Sequence, residues 1–203
     1  MAEAAYCFAL PDAYSDAASA PLLCAGLIGF RALRMAGNAL RLGLYGFGAA
    51  AHIVAQVAVR GAQRLCIHTG WRYHGPGLRA AARVRLGRSS EEQPPAELEA
   101  AIIFAPVGSL LPVALVCVHK GGVVVLGGIH MSDIPAMPYA LLWGERMVRS
   151  VANLTRQDAK DFLELAARTP IQTHVERFDL KDTNTALDRL RAGQLTGAAV
   201  LIP

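Results

Sequence analysis

The sequence predicts an α/β fold, in which a doubly wound parallel sheet carries helices on both faces. Of its 203 residues, 53% are hydrophobic and only 6% are aromatic, a composition that suits a buried parallel sheet covered by helices. Short apolar segments typical of strands alternate along the chain with segments of helical periodicity, which is typical of parallel sheets. Residues 41–58 show this alternation most clearly, because a strand, a glycine turn and a helix follow one another directly.

The glycine turn at residues 46–51 has the pattern G-x-G-x-x-A, which is typical of dinucleotide-binding sites. The first glycine makes the tight turn, the second lets the backbone approach a pyrophosphate, and the small Ala51 lets the helix pack on the strand. The anion would lie at the helix N-terminus, where free N–H groups and the helix dipole favour negative charge. The pattern therefore predicts a Rossmann-type sheet, with cofactor-binding residues Gly46, Phe47, Gly48, Ala49 and Ala51.

Charge and cysteine spacing argue against several other classes of protein. The net charge is +4, but the basic residues are scattered, so we expect no nucleic-acid partner. The cysteines are far apart and form no CxxC pair, which argues against a disulfide framework and a zinc knuckle. They are Cys7, Cys24, Cys66 and Cys117. The N-terminus lacks the pattern of a secretory signal, and the most apolar run, residues 102–118, contains two prolines; we therefore expect a cytoplasmic protein without membrane contact.

Local signals place the remaining elements in order. A helix is predicted from Ser19 and Pro21 to a stop at Gly37, because proline is favoured in a first helical turn and glycine after a last one. After the glycine turn, residues 64–69 form an apolar strand, residues 78–86 a basic and possibly helical segment, and residues 89–95 a polar loop.

The second half continues the alternation of strands and helices. Thr155 and Asp158 have the spacing of a capping signal for a helix that reaches Arg168, and Gly193 stops a later helix. The predicted strands are 98–105, 123–126, 147–152, 175–178 and 198–202, and the predicted helices are 110–119, 155–168 and 182–192.

Four further segments stand in order around the glycine turn: residues 20–33 (APLLCAGLIGFRAL), 104–108 (FAPVG), 121–128 (GGVVVLGG) and 190–193 (LRAG). Together with the turn, they resemble the cofactor domain of the zinc-dependent alcohol dehydrogenases, in the medium-chain dehydrogenase/reductase superfamily. Members of this family also carry an N-terminal catalytic domain with a Gly-His-Glu motif, which this sequence lacks. The resemblance implies that residues 1–37 are a remnant of the junction with that domain and its leading helix, and that residues 38–203 are the dinucleotide-binding domain.

The resemblance implies an oxidoreductase that transfers hydride between NAD(P) and a small alcohol or aldehyde. It places the nicotinamide beside two turns, which supply Ala105, Pro106, Val107, Gly128 and Ile129; the alternative is that proline and glycine simply end strands there. It also matches Cys24 to the family's third catalytic zinc ligand. One cysteine cannot hold zinc, so for this chain by itself a buried, free cysteine is the preferred interpretation, unless a partner supplies further ligands. No catalytic residue is assigned.

The choice between NADP and NAD depends on the residues after the second strand. Residues 66–72 contain no carboxylate to bind a ribose 2′-hydroxyl, whereas Arg72 could pair with a 2′-phosphate. We therefore favour NADP slightly over NAD and include Thr69 in the site, with Arg64 and His74 as lesser candidates for the phosphate. Gly197 stands where many family members have a basic residue near the cofactor phosphates.

Three functional hypotheses remain open from the sequence. The first is the cofactor half of an alcohol dehydrogenase-like enzyme. The second is a non-catalytic NADPH-binding module, and the third is a zinc-independent reductase that resembles the quinone oxidoreductases. The resemblance also implies a homodimer formed through strands near residues 147–152.

Overall fold

The computed structural model describes residues 3–61, 63–68, 84–87 and 92–203. A six-stranded sheet with strand order β3-β2-β1-β4-β5-β6 forms the centre, and every strand pair in it is parallel. The strands are β1 (Arg41–Tyr45), β2 (Arg64–His68), β3 (Val84–Gly87), β4 (Leu98–Ile103), β5 (Val118–Leu126) and β6 (Met147–Ser150). The strand order reverses between β1 and β4, which is where doubly wound sheets bind ligands. The predicted fold class is confirmed.

Helices cover both faces of this sheet, because alternate strand residues point to opposite sides. Leu42 and Leu44 of β1 pack in one cluster with helices α2 (Ala25–Met35) and α3 (Ala49–Arg60). Tyr45 packs in a second cluster with α4 (Leu110–Cys117). The remaining helices are α1 (Asp16–Ser19), α5 (Arg156–Arg168) and α6 (Thr183–Arg191).

The helix that leads into β1 differs from its prediction. It begins earlier, at Asp16, where the Ser15 hydroxyl accepts a hydrogen bond from the N–H of Ala18. It is also interrupted: a 3₁₀ turn, Ala20–Leu23, is followed by Cys24 with non-helical backbone angles (φ −125°, ψ −73°), and α2 begins only after it. By length and composition the stretch Asp16–Met35 could cross a membrane, but half of its apolar window is buried, so we interpret it as a core element.

Residues 84–87 form strand β3, so the predicted helix over residues 78–86 is wrong for residues 84–86. Val84 pairs with Leu65 and Leu86 with Ile67, which makes β3 the edge strand beside β2. Pairing with a neighbour distant in sequence therefore outweighs local propensity here. The rest of the predicted segment lies outside the described residues.

The last two strands, β7 (Val175–Asp179) and β8 (Ala198–Ile202), form a separate two-stranded parallel sheet, connected through α6. They were expected to continue the main sheet. The sequence of β7, Val-Glu-Arg-Phe-Asp, explains the difference, because a strand buried on both faces is almost continuously apolar. The division of the chain at residue 38 stays a prediction.

A polar stripe on α3 holds the segment that leads into β7. His52, Gln56 and Arg60 are four residues apart and so share one helix face. The side-chain amide of Gln56 donates to the carbonyl of Gln172 (2.8 Å) and accepts from its N–H (2.9 Å). Arg60 donates to the carbonyl of Pro170 (2.8 Å). The second sheet is therefore attached to the same helix that begins at the glycine turn.

His52 contacts His174 at the start of this second sheet, with ring centroids 4.7 Å apart. His52 is buried, and its pKa is lowered to about 4. Burial is the larger cause, and the nearby His174 is the smaller one. The Nε2 atom of His174 is also buried and finds no hydrogen-bond partner among the described residues. Burial and this contact therefore favour the uncharged form of the His52 imidazole.

Asp158 connects α5 to α2. Its carboxylate is fully buried and accepts hydrogen bonds from the N–H (2.9 Å) and the hydroxyl (2.6 Å) of Thr155, in the predicted capping box. Arg31 and Arg34 of α2 also bind it, at 3.3 and 3.2 Å. Burial raises the pKa of Asp158, but the hydrogen bonds from Thr155 and the two guanidinium charges outweigh burial, so its pKa lies below the usual value.

We expect Asp158→Ala to lower the free energy of unfolding at neutral pH by about 2–4 kcal/mol, because two arginines and a helix cap lose their partner. Asp161→Ala is the control: Asp161 binds Arg34 at the surface, and its loss should cost less than about 1 kcal/mol. Urea unfolding measures both. Because the folded-state pKa is lowered, the contribution of Asp158 should be lost as the pH falls below about 4. Equal costs for the two variants would contradict this role.

We expect a His52 side-chain titration midpoint near pH 4, measured by NMR on histidine-labelled protein. Since the unfolded chain takes up this proton first, near pH 6.5, the histidine makes the fold less stable as the pH falls from 6.5 to about 4. The loss is about 3 kcal/mol. His174→Gln should raise the midpoint without restoring it to 6.5, because burial is the larger cause. A midpoint near 6.5 in the unaltered chain would show that the ring is not buried.

Candidate functional site

The turn between β1 and α3 is pressed against the end of β4. Gly46 has φ +85°, and a Cβ atom there would lie 2.7 Å from the backbone nitrogen of Ala105. The carbonyl of Tyr45, directly before it, accepts hydrogen bonds from the N–H groups of Phe104 (2.8 Å) and Ala105 (3.2 Å). Only glycine is compatible with both the left-handed backbone and this close approach.

Gly48, by contrast, faces open space. It is the N-cap of α3, and its carbonyl accepts the N–H of His52 (2.9 Å). A Cβ atom at Gly48 would have no atom of the described residues within 4 Å. The first N–H groups of a helix have no partner inside the helix, and the first turn of α3 contains only alanines at Ala49, Ala50 and Ala51. Within the part of the chain that the structure describes, the first turn of α3 therefore offers backbone donors and no charged side chain of its own to an anion.

The third position of the pattern behaves as predicted. Ala51 is fully buried, and α3 packs on β1 through Val54, Ala55 and Ala58. Phe47 lies beside the turn, and its ring contacts His52 edge-on, with centroids 6.2 Å apart. The helix that would hold the pyrophosphate is thus fixed both to the main sheet and, through His52, to the second sheet.

The ends of β4 and β5 bring the other predicted residues to this edge. The N–H groups of Gly127 and Gly128 donate to the carbonyl of Ile103 (2.8 and 3.2 Å). A Cβ atom at Gly128 would lie 3.1 Å from the carbonyl oxygen of Phe104 and 3.4 Å from Pro106 Cα. The five residues predicted to surround the nicotinamide therefore meet at the carboxyl edge of the sheet, and they are Ala105, Pro106, Val107, Gly128 and Ile129.

Two apolar side chains are exposed at this edge. Val107 is 41% exposed and Ile129 is 78% exposed. Neither contributes to the buried clusters of the core. Exposed apolar groups at a ligand-binding edge can cover the face of a flat ring.

The carboxyl end of β6 also reaches this edge, and it is absent from the sequence-based set. The N–H of Val151 donates to the carbonyl of Leu126 (2.9 Å), directly before Gly127, and Asn153 has a left-handed backbone (φ +66°). The sequence did contain a signal for this segment, because residues after a parallel strand meet those after its neighbours.

The candidates for the adenosine ribose and its phosphate have different outcomes. Thr69, Arg72 and His74 lie outside the described residues. Arg64 is described, and it begins β2 at the amino edge, with its N–H bonded to the carbonyl of Leu40 (2.7 Å). Because the predicted cofactor-binding residues lie at the other end of the strands, the structure does not bring Arg64 to them.

The backbone at Gly197 suits glycine, whereas Cys24 differs from its prediction. A Cβ atom at Gly197 (φ +87°) would lie 2.2 Å from the carbonyl oxygen of His174, so this backbone leaves no room for a basic side chain. Cys24 is exposed, so its interpretation as a buried cysteine is wrong: it faces outward at the start of α2. No group of three His, Cys, Asp or Glu side chains able to hold a metal occurs among the described residues.

A cavity of about 380 Å³ lies at the opposite, amino edge of the sheet, beside the end of α2. Its polar lining includes Glu99, His119 and Arg149. Glu99 is bound to Arg41 (2.8 Å). Of the predicted cofactor-binding residues that the structure describes, none lines this cavity.

Comparison with known proteins agrees with this geometry. No protein-family model matches the chain. The probable alcohol dehydrogenase AdhA of Mycobacterium tuberculosis (strain CDC 1551 / Oshkosh) is 45% identical over 208 residues, which cover 98% of this chain and 58% of that protein. The structure superposes on acetophenone reductase from Geotrichum candidum NBRC 4597, in complex with NAD, with a TM-score of 0.86 at 20% identity. That match covers 97% of this chain and 58% of the reductase.

A second solved structure, CAD from Helicobacter pylori complexed with NADP(H), matches with a TM-score of 0.76 at 21% identity, over 90% of this chain and 54% of that one. The chain spans about three fifths of the length of curated relatives such as AdhA. These matches confirm the resemblance found in the sequence: the chain is similar to proteins named alcohol dehydrogenase over about three fifths of their length.

Proposed function

We propose that this chain is the nicotinamide-dinucleotide-binding part of an alcohol dehydrogenase-like oxidoreductase, which transfers hydride between NAD(P) and a small alcohol or aldehyde. The observation that carries the proposal is the pair of contrasting glycines. Gly46 is closed off by Ala105, whereas Gly48 opens α3 onto free space at the carboxyl edge of the sheet. A dinucleotide diphosphate needs this combination of a tight turn and an accessible backbone.

Different residues of this chain would bind different parts of the cofactor. The N–H groups of α3 that follow Gly48 would hold the diphosphate, and Val107 and Ile129 would cover the nicotinamide and exclude water from it. When bound, the nicotinamide supplies the group that accepts or donates hydride. This chain's own contribution is thus to bind and orient the cofactor, and no residue in it is assigned to proton transfer.

A zinc ion finds no complete set of ligands in the described residues. A catalytic zinc site in proteins usually has three protein ligands. Cys24 is an exposed thiol, and no described group of three suitable side chains includes it. Zinc therefore requires at least two further ligands, and no step of the proposed binding function depends on it.

Between the two cofactors, the proposal favours NADP. Residues 66–72 contain no carboxylate, and Arg72 is a positively charged residue in the segment after the second strand that could pair with a 2′-phosphate. This choice rests on sequence, because residues 69–72 lie outside the described part of the chain.

A homodimer through β6 is also part of the proposal. β6 is an edge strand of the main sheet, and Met147 on it is half exposed. The free edge of a strand can pair with the same strand of a second copy. Sedimentation velocity tests this part of the proposal. A dimer is expected, and a single monomeric species would show that it is wrong.

The proposed binding function predicts that Gly48→Ala weakens binding of both NADPH and NADH at least about tenfold, because the added methyl occupies the space where the diphosphate approaches the backbone. The fold should lose less than about 1 kcal/mol, since the methyl meets no described atom and only the N-cap preference is affected. Fluorescence titration at low salt measures the affinities.

Gly61→Ala is the matched control at the other end of α3. A Cβ atom there lies 3.4 Å from the carbonyl oxygen of Ala58, an ordinary contact, so this variant should bind like the unaltered chain. The proposal is wrong if the unaltered chain binds neither nucleotide, or if Gly48→Ala binds both as well as the unaltered chain does.

Arg72→Ala should weaken NADPH binding by about tenfold or more and leave NADH binding nearly unchanged, because only NADPH carries the 2′-phosphate. Arg64→Ala is the control: it removes one positive charge from the amino edge of the sheet and should change neither affinity. Titrations of both variants with both nucleotides give the comparison. If Arg72→Ala weakened the two nucleotides equally, the assignment of the 2′-phosphate to Arg72 would have to be abandoned.

A further inference from the structure

The loop after β4 and the loop after β5 are joined by two hydrogen bonds of one residue, Ser132. Its hydroxyl accepts the N–H of Gly108 (2.9 Å), and its own N–H donates to the carbonyl of Pro106 (3.2 Å). These two bonds flank Val107 on both sides. Ser132 therefore holds the backbone of the residue that the proposed function places beside the nicotinamide.

Gly108 makes this junction a direct backbone contact. A Cβ atom there would lie 2.3 Å from the carbonyl oxygen of Asp133 and 2.4 Å from that of Ser132. The N–H of Val107 donates to the carbonyl of Ala105 (2.8 Å), which tightens the same loop. Because neither loop can shift at Gly108 without the other, the Ser132 hydroxyl is well placed to set the position of Val107.

Ile129 lies between two fixed points on the other loop. Before it, the N–H of Gly128 is bound to the carbonyl of Ile103 (3.2 Å), and after it comes Ser132. His130, the next residue, has a left-handed backbone (φ +54°), which bends the chain back toward the first loop. The bond between Ser132 and Gly108 therefore closes a ring of backbone that contains both Val107 and Ile129.

We infer that Ser132 is a positioning residue for the nicotinamide end of the dinucleotide, which fixes the spacing between Val107 and Ile129 without contacting the cofactor. The inference rests on the proposed function. The two ends of the site are held by different hydrogen bonds, because the turn at Gly46, which would bind the diphosphate, is held by the bond from the N–H of Ala105 to the carbonyl of Tyr45. Loss of the Ser132 hydroxyl should thus loosen the nicotinamide end and leave the adenosine diphosphate end intact.

The experiment compares each whole cofactor with its analogue that lacks nicotinamide: NADH with ADP-ribose, and NADPH with 2′-phospho-ADP-ribose. In Ser132→Ala, the dissociation constant of the reduced cofactor should rise about 3- to 10-fold, the equivalent of one hydrogen bond. The analogue should bind within about twofold of the unaltered chain, which also shows that the variant is folded. The fluorescence enhancement of bound nicotinamide should fall in parallel.

Two further variants sharpen the test. Ser132→Thr keeps the hydroxyl and should restore the affinity for the reduced cofactor. Ser109→Ala removes a hydroxyl from the same loop, one that makes no capping hydrogen bond to α4 among the described residues, and should change nothing.

The outcomes distinguish this inference from the proposed function. If the unaltered chain binds neither cofactor nor analogue, the proposed function fails and the inference fails with it. If both bind but Ser132→Ala weakens cofactor and analogue equally, or weakens neither, the proposed function stands and the positioning role of Ser132 is wrong.

Discussion

The close backbone approach between Gly46 and Ala105 is the constraint on which the rest of the site depends. Because a Cβ atom at Gly46 would lie only 2.7 Å from the Ala105 nitrogen, the turn after β1 and the end of β4 form one surface. That contact aims the N-terminus of α3 along the carboxyl edge of the sheet. Similar approaches at Gly108 and Gly128 bring the ends of β4 and β5 together. Small residues thus replace side-chain packing at the point where three strands end, and the backbone groups stay available to a ligand.

Stability and binding use different parts of the molecule, although α3 belongs to both. One end of this helix opens at Gly48, and its polar face, through Gln56 and Arg60, holds the segment leading to the second sheet. The buried carboxylate of Asp158 fixes α5 to α2 on the same side of the main sheet. A change in the second sheet can therefore reach the glycine turn through His52, which contacts both Phe47 and His174.

The sequence predicted those features that depend on residues close together in the chain. The glycine turn and the capping box of Thr155 and Asp158 were predicted from sequence, because each depends on residues only a few positions apart. The strand at residues 84–87 was not, since it depends on pairing with β2, and neither was the separation of β7 and β8 from the main sheet. In the site, Ser132 was missed because it binds Gly108, which is 24 residues away. Arg64 was named as a lesser candidate, but it is the first residue of β2 and therefore lies at the amino edge, away from the predicted cofactor-binding residues.

A crystal structure of the chain grown with NADPH tests the central claim most directly. We expect the diphosphate at the N-terminus of α3, against the backbone of Gly48, and the nicotinamide between Val107 and Ile129. A nucleotide bound elsewhere, for example in the cavity at the amino edge beside His119 and Arg149, would contradict the claim that the glycine turn is the cofactor site.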